Sequence, residues 1–158
     1  MQDNLVKDIL KYNMKEEWVQ EVEKKPKLRT YKLFKTEFET EKYVFCKDRR
    51  KRSLFAQLRI GILPLRVETG RFSNIALDQR HCNMCSGSYV EDEKHFICNC
   101  NLYHDLRDTL FRSAELICPS FTQMNETQKL VFLFQKASRE LSRFLSQAWQ
   151  QRQNILYY

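Results

Sequence analysis

Apolar residues recur at helical spacing along most of this chain. From Asn4 to Lys24, the row Val6, Leu10, Met14, Trp18 and Val22 has Leu5, Ile9 and Val19 beside it, which predicts a helix. Lys24-Lys25-Pro26-Lys27 ends it, because Pro26 biases Lys25 away from the helical region. A second helix from Leu28 to Phe38 aligns Leu28, Tyr31, Phe34 or Lys35, and Phe38. The Glu37–Glu41 stretch either extends it to Phe45 or starts a separate short helix. A third helix, Asp48 to Ile60, has Leu54, Phe55 and Leu58 on its core side and Arg49, Arg52 and Arg59 on the other. Gly61 ends it, and Ile62-Leu63-Pro64-Leu65 then crosses the core. A fourth helix from Leu102 to Ile117 uses Leu102, Leu106, Leu110, Phe111, Ala114 and Ile117, and Cys118-Pro119-Ser120 stops it. Asn125, with Gln128 three residues on, caps a long final helix running to Gln153. Its stripe of Leu130, Phe134, Ala137, Leu141, Phe144 and Ala148 steps by fours and threes. That face is expected to pack against the N-terminal helices.

These elements predict an all-α domain in one compact unit: N-terminal helices over 1–45, a basic helix and metal-binding core over 46–118, and a C-terminal helix over 119–158. With only three Gly and three Pro in 158 residues, the composition agrees with helices rather than loops or sandwiches. No long apolar run marks a signal peptide or membrane span, so the expectation is a nuclear or cytoplasmic chain, not secreted. In such a compartment the six cysteines stay reduced.

Four residues between the third and fourth helices change the picture. Cys82, Cys85, His95 and Cys100 stand at C-x2-C-x9-H-x4-C, a spacing that suits Zn2+. Two cysteines two residues apart aim both thiolates at one ion from one tight turn, and His95 and Cys100 complete a tetrahedron. Four protein ligands leave no open coordination position, so such a site staples a fold and does not activate water. His81, Cys98 and His104 are the substitutes if one ligand is misassigned, and Cys46 and Cys118 are spare thiols. One of Glu91, Asp92 and Glu93 holds the far ring nitrogen of His95, or the three form a solvated acidic turn.

Charge points the same way. Residues 46–80 carry nine basic and three acidic groups, while the chain's whole excess is +7. Arg49, Arg50, Lys51 and Arg52 form a cluster, followed by Arg59, Arg66, Arg71 and Arg80. Concentrated cations attract polyanions, so RNA or single-stranded DNA is the expected partner. Two blander readings stand beside it: a solvated or nuclear-import run at Arg49–Arg52, and an internal ion-pair network of Arg59, Glu68 and Arg71. A protein-interaction domain docking through the final helix is the alternative function. No Ser/His/Asp set, P-loop or dinucleotide pattern appears, so an enzyme is not expected.

The string Arg52-Ser53-x-x-Ala56-x-Leu58-Arg59-x-Gly61-x-x-Pro64-Leu65-x-x-Glu68-x-Gly70-Arg71 leads into Arg80-x-Cys82-x-x-Cys85. Then follow Val90-Glu91-Asp92-Glu93-x-His95-Phe96, Cys100 and Tyr103. This combination resembles the zinc-binding C-terminal region of reverse-transcriptase polyproteins from animal non-LTR retrotransposons, over residues 45 to 112. The resemblance implies a module that sits beyond the polymerase and helps hold nucleic acid, with Cys82, Cys85, His95 and Cys100 on the zinc-ligand positions. The chain departs from such polyproteins in having no polymerase body and no adjacent Asp-Asp pair.

Overall fold

The computed structural model describes residues 2–25, 28–35 and 38–157. Helix α1 spans Gln2–Glu23, α2 Arg29–Phe34, α3 Arg49–Ile60, α4 Arg66–Thr69, α5 His104–Ile117, α6 Glu126–Lys136 and α7 Ser138–Tyr157. No strand occurs among the described residues; one isolated antiparallel bridge joins His81 to Val90. The fold is therefore all-α, as the periodicity predicts. No helix among the described residues is long and apolar enough to cross a membrane.

The helix ends follow local chemistry. Asp48 accepts the backbone N–H of Lys51 at 3.1 Å, capping α3. Gly61 closes that helix at φ +70°, where a Cβ would also stand 2.8 Å from Thr30 Oγ1. Asn125 and Gln128 form a reciprocal capping box at α6. Pro26, expected to end the first helix, lies outside the described residues, as does Glu37. The second helix stops at Phe34, four residues short of the expected end.

Two expectations about the C-terminal half need correction. The single helix from Asn125 to Gln153 is two, α6 and α7, separated at Ala137 (φ −122°, ψ 38°). Ala137 is fully buried, and its carbonyl accepts the Leu141 N–H that opens α7. The apolar stripe runs through this break unchanged, so periodicity alone does not register it. The stripe's partners also differ. Phe134 stacks on Phe34 of α2 at 4.3 Å, as expected of N-terminal contacts. Leu141 and Phe144, however, belong to α7, which packs chiefly against α3, α5 and α6. That face is occupied by the core: Leu141, Phe144, Leu145 and Ala148 are all buried. Of α7's described aliphatic side chains only Ile155 and Leu156 are exposed, so the docking stripe envisaged for a partner is not on the surface.

Helix α1 is anchored at its C-terminal half, where Trp18 donates to the Tyr31 hydroxyl at 3.2 Å and meets the Phe38 ring at 5.6 Å. Leu5, Val6, Ile9, Leu10 and Met14 are each more than half exposed.

Candidate metal centre

The loop between α4 and α5 holds the ligands by backbone geometry. Cys82 N–H donates to Tyr89 O and Glu91 N–H to Arg80 O, both at 2.9 Å, so the segment from 82 to 89 doubles back on itself. Within it the Met84 N–H points at Cys82 Sγ, 3.3 Å away. His95 opens a five-residue π-turn, His95–Asn99, whose closing Cys100 N–H donates to His95 O at 2.7 Å. One wide turn thus brings His95 and Cys100 to the same side, facing the first cysteine pair.

The ligand atoms of Cys82, Cys85, His95 and Cys100 all lie within 4.8 Å of one another. Cys82 and Cys100 sulfurs are 3.9 Å apart, and Cys85 Sγ is 3.4 Å from His95 Nε2. This Cys3His set can hold one metal ion. Burial pushes the Cys82 thiol far above its usual range, against the Met84 N–H and with help from the Glu91 charge. Burial likewise raises Cys100 and lowers His95. The surroundings favour uncharged ligands, a preference that a bound cation inverts by stabilising thiolate.

The three reserve ligands stay outside. His81 is exposed on the bridge to Val90. His104 is exposed on α5, 3.4 Å from Asp108. Cys98, within the π-turn, packs partly buried against the core, and burial, with the Glu126 charge, raises its thiol to about 12. All six cysteines are free thiols, with Cys46 and Cys118 far from the tetrad in sequence.

The acidic triplet does not do what its position suggests. His95 Nδ1 is buried with no hydrogen-bond partner among the described residues, so none of the three carboxylates holds it. Asp92 instead accepts the His95 backbone N–H at 2.8 Å, as a helix cap does. Glu93, buried, takes Arg29 of α2 at 2.7 Å; burial raises its carboxyl, and Arg29 opposes that. Glu91, also buried, accepts both arms of the Arg152 guanidinium of α7 at 2.5 and 3.0 Å, and the Arg66 N–H at 2.8 Å. Its Oε1 also lies 3.4 Å from Cys82 Sγ. Arg107 of α5 donates to the Cys100 carbonyl at 2.7 Å. Three helices therefore each send one arginine to fasten the ligand loop.

Arg107 and Arg152 escape a reading based on ligand spacing. Their signal is positional: each continues a buried row, Arg107-Leu110-Ala114 on α5, preceded by Tyr103 at its N-cap, and Leu141-Leu145-Ala148-Arg152 on α7. A charge on a core row announces a buried partner.

The basic residues ahead of the loop divide into two groups. Arg59 pairs with Glu41 at 3.0 Å, donates to the Tyr43 hydroxyl and lies over the Tyr31 ring at 4.6 Å. Arg71 donates to both oxygens of Glu68 at 2.8 Å, and Arg80 donates to the Ile75 and Val67 carbonyls. Arg59 and Arg71 thus sit in separate pairs, not in one network with Glu68. Arg66 is half-buried. Arg52 donates to the Cys46 carbonyl at 2.7 Å, Arg50 to Gln153 at 3.2 Å, and Lys51 lies 3.7 Å from Asp48. Arg49 is exposed, with no partner among the described residues.

No protein-family model, curated protein or solved structure matches this chain.

Proposed function

We propose that the chain is a zinc-stapled helical module that binds RNA or single-stranded DNA. The tetrad carries the metal part of this reading. Two sulfurs on tetrahedral zinc, each about 2.3 Å from it, stand about 3.8 Å apart, and a sulfur and imidazole nitrogen about 3.6 Å. The 3.9 and 3.4 Å separations here match those edges. All four positions are taken by protein, so the metal's role is to hold the loop, not to react. Nucleic-acid binding is supported by the +6 segment over residues 46–80, by the exposed cations that open α3, and by the retroelement resemblance.

Elemental analysis is expected to give one zinc per chain, lost together with loop order in the Cys82→Ser/Cys85→Ser variant. Absence of zinc, or full metal retention by that variant, overturns the zinc assignment. Binding of a single-stranded RNA should weaken linearly on a log–log plot against salt, each lost phosphate contact flattening the slope by about 0.7. Reversing Arg49 and Arg50 should weaken all sequences alike, whereas Arg71→Ala should lower stability more than affinity. Affinity indifferent to salt would discard the phosphate reading. The protein-interaction alternative would then stand, favoured by the exposed apolar residues of α1.

A further inference from the structure

Beyond the tetrad, a cavity opens between α3 and α7. It measures about 360 Å³, and four cations line it: Lys51 and Arg52 from α3, Arg139 and Arg143 from α7. No carboxylate is among its lining residues. Arg139 and Arg143 sit one helical turn apart, both exposed, with no hydrogen bond or ion pair among the described residues. Lys51 is only loosely held, 3.7 Å from Asp48. Ser138 and Ser142, again one turn apart on α7, add two hydroxyls to the same wall.

Like-charged side chains facing one cavity repel each other, and no internal anion relieves Arg139 and Arg143. An anion entering from solvent does so, and guanidinium groups match phosphate oxygens in pairs. The opposite wall has a different chemistry. Half-buried Tyr43 supplies aromatic surface beneath the cationic rim, with the buried Phe55 ring packed behind it at 5.0 Å. The volume falls within the range of small-molecule pockets, roughly 300–1,000 Å³, and far exceeds one phosphate. A ligand with a phosphate at one end and a flat ring at the other satisfies both walls, the ring against Tyr43 and the phosphate on the arginines.

We propose that this cavity is a nucleoside-phosphate site, taking one nucleotide of a bound single strand. This deepens the single-strand reading, on which the choice of strand over free nucleotide rests. It also adds Ser138, Arg139, Ser142 and Arg143, on the far side of the sequence from the +6 segment.

The test uses the full, metal-loaded chain and four probes: a mixed-sequence single-stranded RNA, adenosine monophosphate, adenosine and inorganic phosphate. Three proteins are compared: the parent, Arg139→Ala/Arg143→Ala, and Lys7→Ala/Lys11→Ala, which removes the same charge from α1. Zinc content and thermal midpoint establish that each is folded. The expected result is a loss of RNA affinity of tenfold or more in the arginine variant, with a salt slope flatter by about 0.7, because the one phosphate that both arginines hold is no longer neutralised. The α1 variant should bind as the parent does. Adenosine monophosphate should compete with RNA on the parent better than adenosine or inorganic phosphate.

If the arginine variant binds RNA like the parent and neither binds the monophosphate, the cavity proposal falls while the strand reading stands. If the parent binds no RNA but binds the monophosphate through Arg139 and Arg143, the strand reading falls and the occupant is a free nucleotide. If both double variants lose RNA affinity equally, general charge explains binding and the cavity is overturned as a site.

Discussion

Helices α1 and α7 are nearly equal in length, 22 and 20 residues, and both carry an apolar row, yet they meet opposite fates. Leu141, Leu145 and Ala148 of α7 are shut away, while Leu5, Ile9 and Leu10 of α1 face solvent. The difference lies in what each row meets. In α7 the steps of four and three keep the row on one side of the helix, against α3, α5 and α6. In α1 the steps of four advance the row by about 40° each, at 100° per residue, so Met14 stays near the side of Trp18 and Leu10 on its flank. Both are nevertheless exposed, because only the C-terminal half of α1, through Trp18, reaches Tyr31 and Phe38. An apolar row buries a helix only where another element lies against it.

Four substitutions test that contrast, and Arg152→Ala should have the largest effect. Removing it strands the Glu91 charge in the interior, with an expected cost of about 3–5 kcal/mol in denaturant unfolding. A cost below about 1 kcal/mol would mean that solvent reaches Glu91 readily, and that the end of α7 is as loosely held as α1. Leu141→Ala comes next, at about 2–4 kcal/mol, because it opens a cavity where α7 crosses the core. Trp18→Ala should cost about 1–2 kcal/mol, since it removes a half-buried aromatic contact and frees α1 from its anchor. Amide exchange along α1 should rise in that variant while α7 stays protected. Leu10→Ala should change unfolding by no more than about 0.5 kcal/mol. A larger effect would show that the outer face of α1 is covered in solution, which concentration-dependent sedimentation would detect.

Much of this was legible in the sequence because it rests on local rules. Asp48 and Gly61 bracket α3, Asn125 and Gln128 open α6, and the tetrad's spacing names its own ligands. What the pattern concealed depends on distant partners or on backbone detail that composition does not mark. The break at Ala137 involves neither glycine nor proline, and its apolar row is uninterrupted. Glu91 looked like a neighbour of His95 because it is near it in sequence; its carboxylate instead turns to an arginine 61 residues away. Of the two readings of Arg59 and Arg71, cations for a polyanion or an ion-pair network with Glu68, the pair of Arg71 with Glu68 three residues before it was in view, whereas the partner of Arg59, Glu41 from 18 residues back, was not.

The Glu91–Arg152 pair has a consequence for how the protein is made. Synthesis runs from the N-terminus, so the ligands at 82, 85, 95 and 100 leave the ribosome well before residue 152 does. Until then Glu91 has no guanidinium to receive it, and the surrounding loop keeps an unpaired charge that resists burial. The loop's own cysteines and histidine are thus ready for metal before the scaffold that encloses them is complete. A nonsense codon or a proteolytic cut between Cys100 and Arg152 would leave every metal ligand present and the enclosure unfinished. Such shortened chains are expected to become substrates for quality control rather than smaller versions of the same module.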